Sequence, residues 1–180
     1  PAAPRWVATA RRRAQSHTGP APRRRPGAPE VEDALLDHDG EEDGWGTVGA
    51  VALDVHGHVA AATSTGGMTG KPLGRVGDTP IIGAGTWADG AVAVSCTGVG
   101  EAFIRTAAAH SVAVHHQHTG LKEAADRVLT EVAPYGGRGG LIAVNTEGEV
   151  VLPFQTMLMY RGLYRDGTVN VGIGPDFLQS

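Results

Sequence analysis

The chain has 180 residues, one domain's worth, with a formal net charge of −4 and an apolar fraction of 41%. Near-balanced charge argues against a wholly basic nucleic-acid binder, and no apolar run is long enough to span a membrane. A single cysteine, Cys96, excludes an internal disulfide framework and fits a reducing compartment, so a cytoplasmic location is expected.

Residues 1–30 carry seven of the fifteen basic residues, including Arg11-Arg12-Arg13 and Arg23-Arg24-Arg25, with prolines between them. This predicts a short helix over about 5–16 and then a flexible linker. An acidic patch follows at Asp37, Asp39, Glu41, Glu42 and Asp43. Arginine clusters are also the residue type that neutralises phosphates. No aromatic residues are interleaved for base stacking, which favours a solvated segment and no nucleic-acid partner.

From residue 47 the pattern is that of a packed domain. Residues 47–54 and 58–64 are small and apolar and read as a hairpin turning at Val55-His56-Gly57-His58. Neither strand alternates cleanly, so cover on both faces is expected. A glycine-rich loop runs from 66 to about 80. Short strands are predicted near 81–84 and 91–96, and helices over about 99–116 and 121–132. A second hairpin, 140–145 with 149–153, turns at Thr146-Glu147-Gly148, and a last strand lies near 168–173. Two blocks of strands with helices between them predict an α+β fold, with helices packed on antiparallel sheet.

Several short stretches carry residue types that do chemistry. Gly46 directly precedes Thr47 at the head of a strand. A threonine hydroxyl is a weak nucleophile, but cleavage of the bond before it frees an α-amino group that serves as its own base. That group titrates at about 7.7–8.0. The alternative is an ordinary first strand residue. Thr65, at the end of the next strand, returns close to Thr47, where a second hydroxyl would bond the nucleophile and fix its rotamer; the competing reading is an ordinary strand threonine. Arg75 and Asp78, three apart in a glycine-bounded loop, match the carboxylate and ammonium of an α-amino acid; the competing reading is a local ion pair. Thr97 and Gly98 join a buried strand to a helix, where a hydroxyl and backbone N–H groups stabilise a developing oxyanion, or where Thr97 caps the helix. Cys96 reads as a small buried filler. His115-His116-Gln117-His118 lacks an adjoining acidic or cysteine ligand and reads as a helix end, so no metal site is assigned. There is no G-x-G-x-x-G and no correctly spaced P-loop.

Taken in order, GTVGAVALD, TSTGGMTGK, GRVGDTPIIGAG and SCTGVGE resemble the β-subunit of the plant-type asparaginases, also called isoaspartyl peptidases, which are N-terminal nucleophile hydrolases. The resemblance covers about residues 35–165 and extends to Asp37-His38-Asp39, Gly136-Gly137-Arg138-Gly139-Gly140 and Leu152-Pro153-Phe154. It implies a four-layer αββα sandwich, with residues 1–46 as the end of an α-subunit and 47–180 as the β-subunit, most of the α-subunit half being missing. It implies autocleavage between Gly46 and Thr47, Thr47 as nucleophile and Thr65 as its orienting partner. Arg75 would hold the substrate α-carboxylate, Asp78 and the Gly100 carbonyl its α-amino group, and Thr97 and Gly98 the oxyanion. Asparagine and β-aspartyl dipeptides are the implied substrates, and an (αβ)2 heterotetramer with its own α-subunit the implied assembly. No cofactor is expected, apart from a structural sodium that the family carries in the upstream segment. The rivals are a glycosylasparaginase, a threonine endopeptidase of the same superfamily, and a truncated homologue that acts only as a partner. Trp87 stands where the family more often has tyrosine, and the turn at 88–91 is one residue short.

Overall fold

The computed structural model describes residues 46–68 and 70–175, with the backbone of residues 5–9 and 178–179. Its strands are β1 (Arg5–Thr9), β2 (Val48–Leu53), β3 (Val59–Ser64), β4 (Thr86–Ala88), β5 (Val92–Gly98), β6 (Gly139–Asn145), β7 (Val150–Val151), β8 (Arg161–Arg165), β9 (Thr168–Gly172) and β10 (Leu178–Gln179). The helices are α1 (Gly100–Thr106), α2 (Ala108–His116) and α3 (Leu121–Val132). They form an antiparallel six-stranded sheet, in the order β10-β9-β8-β1-β2-β3, and a four-stranded sheet, β4-β5-β6-β7.

The four-stranded sheet is the centre. Its β6 is buried at all seven positions, and it packs in opposite directions through alternate residues of β5. Val92, Val94 and Cys96 enter a core with Phe103, Val112, Leu121, Val128 and Val132 of the helices. Ala93, with Ile142 and Val144, faces Val51 and Leu53 of the other sheet. The mixed α+β architecture is therefore helices on sheet on sheet. The inner faces carry many alanines and valines, which lets the sheets approach without large voids.

Local chemistry sets the turns. Asp54 accepts the N–H groups of His56 and His58, both at 2.8 Å, and Gly57 takes φ +85°, closing β2 onto β3. Asp89 accepts from Ala91 and Val92 and from the Trp87 indole at 3.1 Å, which closes the short 88–91 turn. Asn145 Oδ1 accepts from Glu149 N–H at 2.8 Å around the second hairpin.

Four expectations change. Residues 5–9 are a strand rather than the start of a helix: β1 pairs with both β2 and β8 and completes the middle of the sheet. Its Trp6, Val7 and Thr9 are types that favour a pleated chain. The rest of the expected helix and linker lies outside the described residues. The strand expected at 81–84 is a run of turns with one bridge, Ile82 to Thr86. The helix expected over 99–116 breaks at Ala107, in the left-handed region at φ 47°. The break is imposed from outside, because Ala109 and His110 donate to the carbonyls of Ala84 and Gly83. Finally, among the described residues β2 and β3 are covered on one face only. Ala60, Ala62 and Ser64 are exposed while Val59, Ala61 and Thr63 turn inward.

The ends of the two sheets are keyed together. Arg165 Nη2 donates to the Gly148 carbonyl at 2.6 Å. That joins the Leu53–Val59 end of one sheet to the Val92–Asn145 end of the other, since Tyr164 pairs with Trp6 and Trp6 with Ala52. The start of β2 and the end of β3 therefore lie at the same end as Gly98 and Gly139.

Because β1 is an interior strand, its amides are expected to exchange with solvent as slowly as those of β2, read by hydrogen–deuterium exchange. Val7→Pro removes a ladder donor and should destabilise the protein by about 1–3 kcal/mol; fast exchange over 5–9 would contradict the pairing.

Candidate active site

Thr47 is half-buried and stands one residue before β2. The β2–β3 register pairs Val48 with Ser64, so one further step places Thr65 opposite Thr47. The Thr65 hydroxyl accepts the Gly67 N–H at 3.0 Å, a local turn that holds the side chain while leaving its own proton to donate. Its bond is thus to Gly67 rather than to Thr47.

Across the gap between sheets, Thr63 Oγ1 meets Ser95 Oγ at 2.7 Å and the Gly85 carbonyl at 3.1 Å. Alternation puts Thr97 on the same face of β5 as Ser95. Gly98 follows at φ +149°, and a Cβ there would strike the Arg138 carbonyl and lie 2.8 Å from Phe103. Gly139 serves the same contact, since a Cβ on it would overlap the Thr97 carbonyl. Side chains are excluded so that β6 can lie flat against the end of β5. Thr97 does not cap α1; the N-cap is Val99, with no side-chain cap bond.

The loop carrying Arg75 and Asp78 is clasped to the start of α1. Arg75 donates bidentately to Glu101, Nε to Oε1 at 2.7 Å and Nη2 to Oε2 at 2.9 Å. Glu101 raises the guanidinium's affinity for its proton still further. Arg75 Nη1 lies 2.9 Å from where a Cβ on Gly77 would stand. The ion pair of Arg75 is therefore with Glu101 and not the local one with Asp78. Asp78 is buried, with Oδ1 2.9 Å from the position of a Cβ on Gly100, and Oδ2 has no hydrogen-bond partner. Burial pushes its pKa up to about 6, against the opposing pull of its own and Thr79's backbone N–H groups and of Arg75.

All the expected residues thus converge on one end of the paired sheets: Gly46 and Thr47 just before β2, Thr65 across from them, Thr97 and Gly98 on β5, and Arg75, Asp78 and Gly100 at the α1 entrance. Sequence reasoning missed the role of Glu101, whose only signal was its place in the SCTGVGE stretch, and the Thr63–Ser95 contact. Cys96 is buried in the helix-side core, which pushes its thiol pKa up, so it is a filler. His115 pairs with Glu131 at 3.1 Å at the end of α2. Among the described residues no cluster of three or more His, Cys, Asp or Glu side chains is arranged to hold a metal.

The Asp78 carboxyl makes a test of this geometry. Its folded pKa, about 6, exceeds the usual 3.8. Stability attached to the neutral form is thus full below about pH 3.8 and lost as pH rises through 6. Against a non-titrating Asp78→Asn variant, the wild type should lose up to about 3 kcal/mol of relative stability between pH 4 and pH 7. Chemical denaturation at both pH values reads this, and a pH-independent difference would mean that the carboxyl is well solvated.

A family model described as asparaginase matches residues 4–173. An isoaspartyl peptidase of Escherichia coli is 55% identical over 148 residues, covering 77% of this chain and 46% of the relative. Another, of Salmonella typhimurium, is 54% identical over 150 residues, 78% of this chain and 48% of the relative. An isoaspartyl peptidase/L-asparaginase of Xenopus laevis is 45% identical over 137 residues, 74% of this chain and 44% of the relative. The chain spans about half the length of these relatives, and it belongs to the asparaginase family whose model covers almost all of it.

Proposed function

We propose that this chain carries the nucleophile half of an amidohydrolase that cleaves the side-chain amide of L-asparagine and the isopeptide bond of β-aspartyl dipeptides. The observation that carries the reading is the convergence of a Gly-Thr strand start, an orienting hydroxyl, a glycine-lined strand end and an Arg–Asp pair at one end of two packed sheets. The names of the relatives support the substrate class.

In this reading the Gly46–Thr47 bond is cut by the Thr47 hydroxyl itself. The freed α-amino group then takes the hydroxyl proton as Thr47 Oγ1 attacks the substrate's side-chain carbonyl. Thr65 orients the attacking oxygen. The Thr97 hydroxyl and the backbone N–H at Gly98 receive the developing oxyanion. Ammonia, or the amino acid of a dipeptide, departs with the proton, leaving a β-aspartyl ester on Thr47. Water attacks that ester and releases aspartate. Arg75 grips the α-carboxylate with the guanidinium edge that Glu101 does not occupy. Asp78, ionised above about pH 6, and the Gly100 carbonyl receive the α-ammonium.

The exposed face of the six-stranded sheet supports a fourth layer. Ala60 and Ala62 are exposed there, with Val169 and Val171 on β9. Residues 1–46 and 47–180 then act as the end of an α-subunit and a β-subunit, assembling as (αβ)2 in the cytoplasm. The sodium implied by the resemblance belongs to the part of such a protein that this chain does not span, and no step is assigned to it.

Thr47→Ala is expected to abolish both self-cleavage and hydrolysis, with Thr47→Ser keeping part of each. Intact-mass analysis reads the first and aspartate release the second; cleavage of the alanine variant at the normal rate would end the nucleophile assignment. If the chain alone is silent in both assays, they are run after co-expression with the portion of a relative that it does not span.

Glu101→Gln should loosen Arg75 without touching the nucleophile. The expected result is a rise in KM of about tenfold for β-aspartyl dipeptides, from losing one charge-assisted contact. Self-cleavage, which has no α-carboxylate to hold, should proceed normally. An unchanged KM would show that Glu101 does not orient the guanidinium.

A further inference from the structure

The contact between Thr63 and Ser95 lies behind the site rather than in it, and its geometry is directional. Thr63 Oγ1 donates to the Gly85 carbonyl at 3.1 Å. A hydroxyl has one proton, so the 2.7 Å contact with Ser95 must be a donation from Ser95 to Thr63. The Gly85 carbonyl also receives the Cys96 N–H at 2.9 Å. A relay thus runs from Ser95 on one sheet, through Thr63 on the other, to Gly85 in the loop, each bond polarising the next.

Each member stands next to a different part of the site. Thr63 is two residues before Thr65 on the inward face of β3, and Ser95 two before Thr97 on the inward face of β5. Two strand residues are about 6.6 Å. Both strands run toward the same end of the sandwich, as the Arg165–Gly148 and Met159–Gly140 contacts require. Gly85 touches the third part: a Cβ on it would lie 2.6 Å from the Asp78 carbonyl group and 2.7 Å from Thr79 Cα. Ser95 is buried, and the surrounding inner faces are largely apolar, Val51, Ala61, Ala93 and Val144 standing beside Ile142, Phe154 and Leu163. Apolar contacts of that kind let one sheet slide on the other, whereas a hydroxyl pair fixes one relative position.

We propose that Thr63 and Ser95 are positioning residues. Their hydrogen bond, anchored on the Gly85 carbonyl, sets the distance between the sheet bearing Thr47 and Thr65 and the strand end bearing Thr97 and Gly98. The proposal rests on the assignment of Thr47 as nucleophile. It accounts for polar side chains at a packed interface that would otherwise be apolar.

The test uses Thr63→Val, which keeps the shape and removes the hydroxyl, Ser95→Ala, their combination, and Thr63→Ser. Self-cleavage is followed by intact mass and β-aspartyl dipeptide hydrolysis by aspartate release, with circular dichroism giving the folded fraction. Both rates should fall by about tenfold to a hundredfold in each single variant, the cost of a small misplacement of reacting groups. KM should stay within about threefold, because Arg75 and Glu101 are untouched. The double variant should be little worse than the worse single, since one bond is shared, and Thr63→Ser should restore most of the rate. Slowed self-cleavage separates this role from substrate binding, which that reaction does not use. Wild-type rates per folded molecule in Thr63→Val or Ser95→Ala would overturn the proposal. Cleavage and hydrolysis surviving in the Thr47→Ala control would instead overturn the nucleophile assignment and the proposal with it, an outcome the control alone identifies.

Discussion

The structure depends on the burial of one strand pair from both sides. β5 and β6 are covered by three helices on one face and by a second sheet on the other. Such a pair cannot shift register or tilt without opening two cores at once. Everything attached to its far end, at Gly98 and Gly139, is therefore held by the packing of the whole domain. A site built there needs little local rigidity of its own.

That arrangement explains the division of labour among small residues. Alanines and valines, with a few larger apolar side chains such as Ile142 and Leu163, fill the gap between sheets. Glycines occupy the positions where backbone meets backbone, as where Gly98 meets the Arg138 carbonyl and Gly85 meets Asp78. Hydroxyls appear on the facing surfaces of β3 and β5 where direction matters. In the loop and the first turn of α1, charge is used instead: Arg75 reaches Glu101 and Asp78 is pressed out of water. The low polarity around Asp78 raises the energy of its charge before any ligand arrives, so a cation entering the site gains more from it than from a solvated carboxylate.

Much of the site was legible in the sequence because its members sit in short, glycine-marked stretches. Thr47, Thr65, Arg75, Asp78, Thr97 and Gly98 could be named as candidates from residue type, and the order of their stretches, which resembles one family, is what joined them into one site. The contacts that hold the site together were not legible. Arg75 and Glu101 are 26 residues apart, and Thr63 and Ser95 are 32 apart, so neither contact has a local signature. In the fold, the hairpins of β2–β3 and β6–β7 were readable because their turns carry Asp54, Gly57, Asn145 and Gly148. β1 was not, because its partners are residues 49–53 and 162–164, and the nearby arginines and prolines dominate its local pattern. The break at Ala107 is invisible for a related reason. Alanine is the best helix former, and the interruption comes from carbonyls of Gly83 and Ala84 in a separate loop.

The position of β1 has a consequence for what a cut between Gly46 and Thr47 does to the molecule. β1 lies on the upstream side of that bond, and β2 begins just after it, yet the two are laddered together over five residue pairs. A nick there severs the covalent link while the sheet continues to hold both pieces as neighbours. A new amino terminus made there would stand at the rim of the paired sheets. The cleaved protein would run as one species in its native state and as two in denaturant.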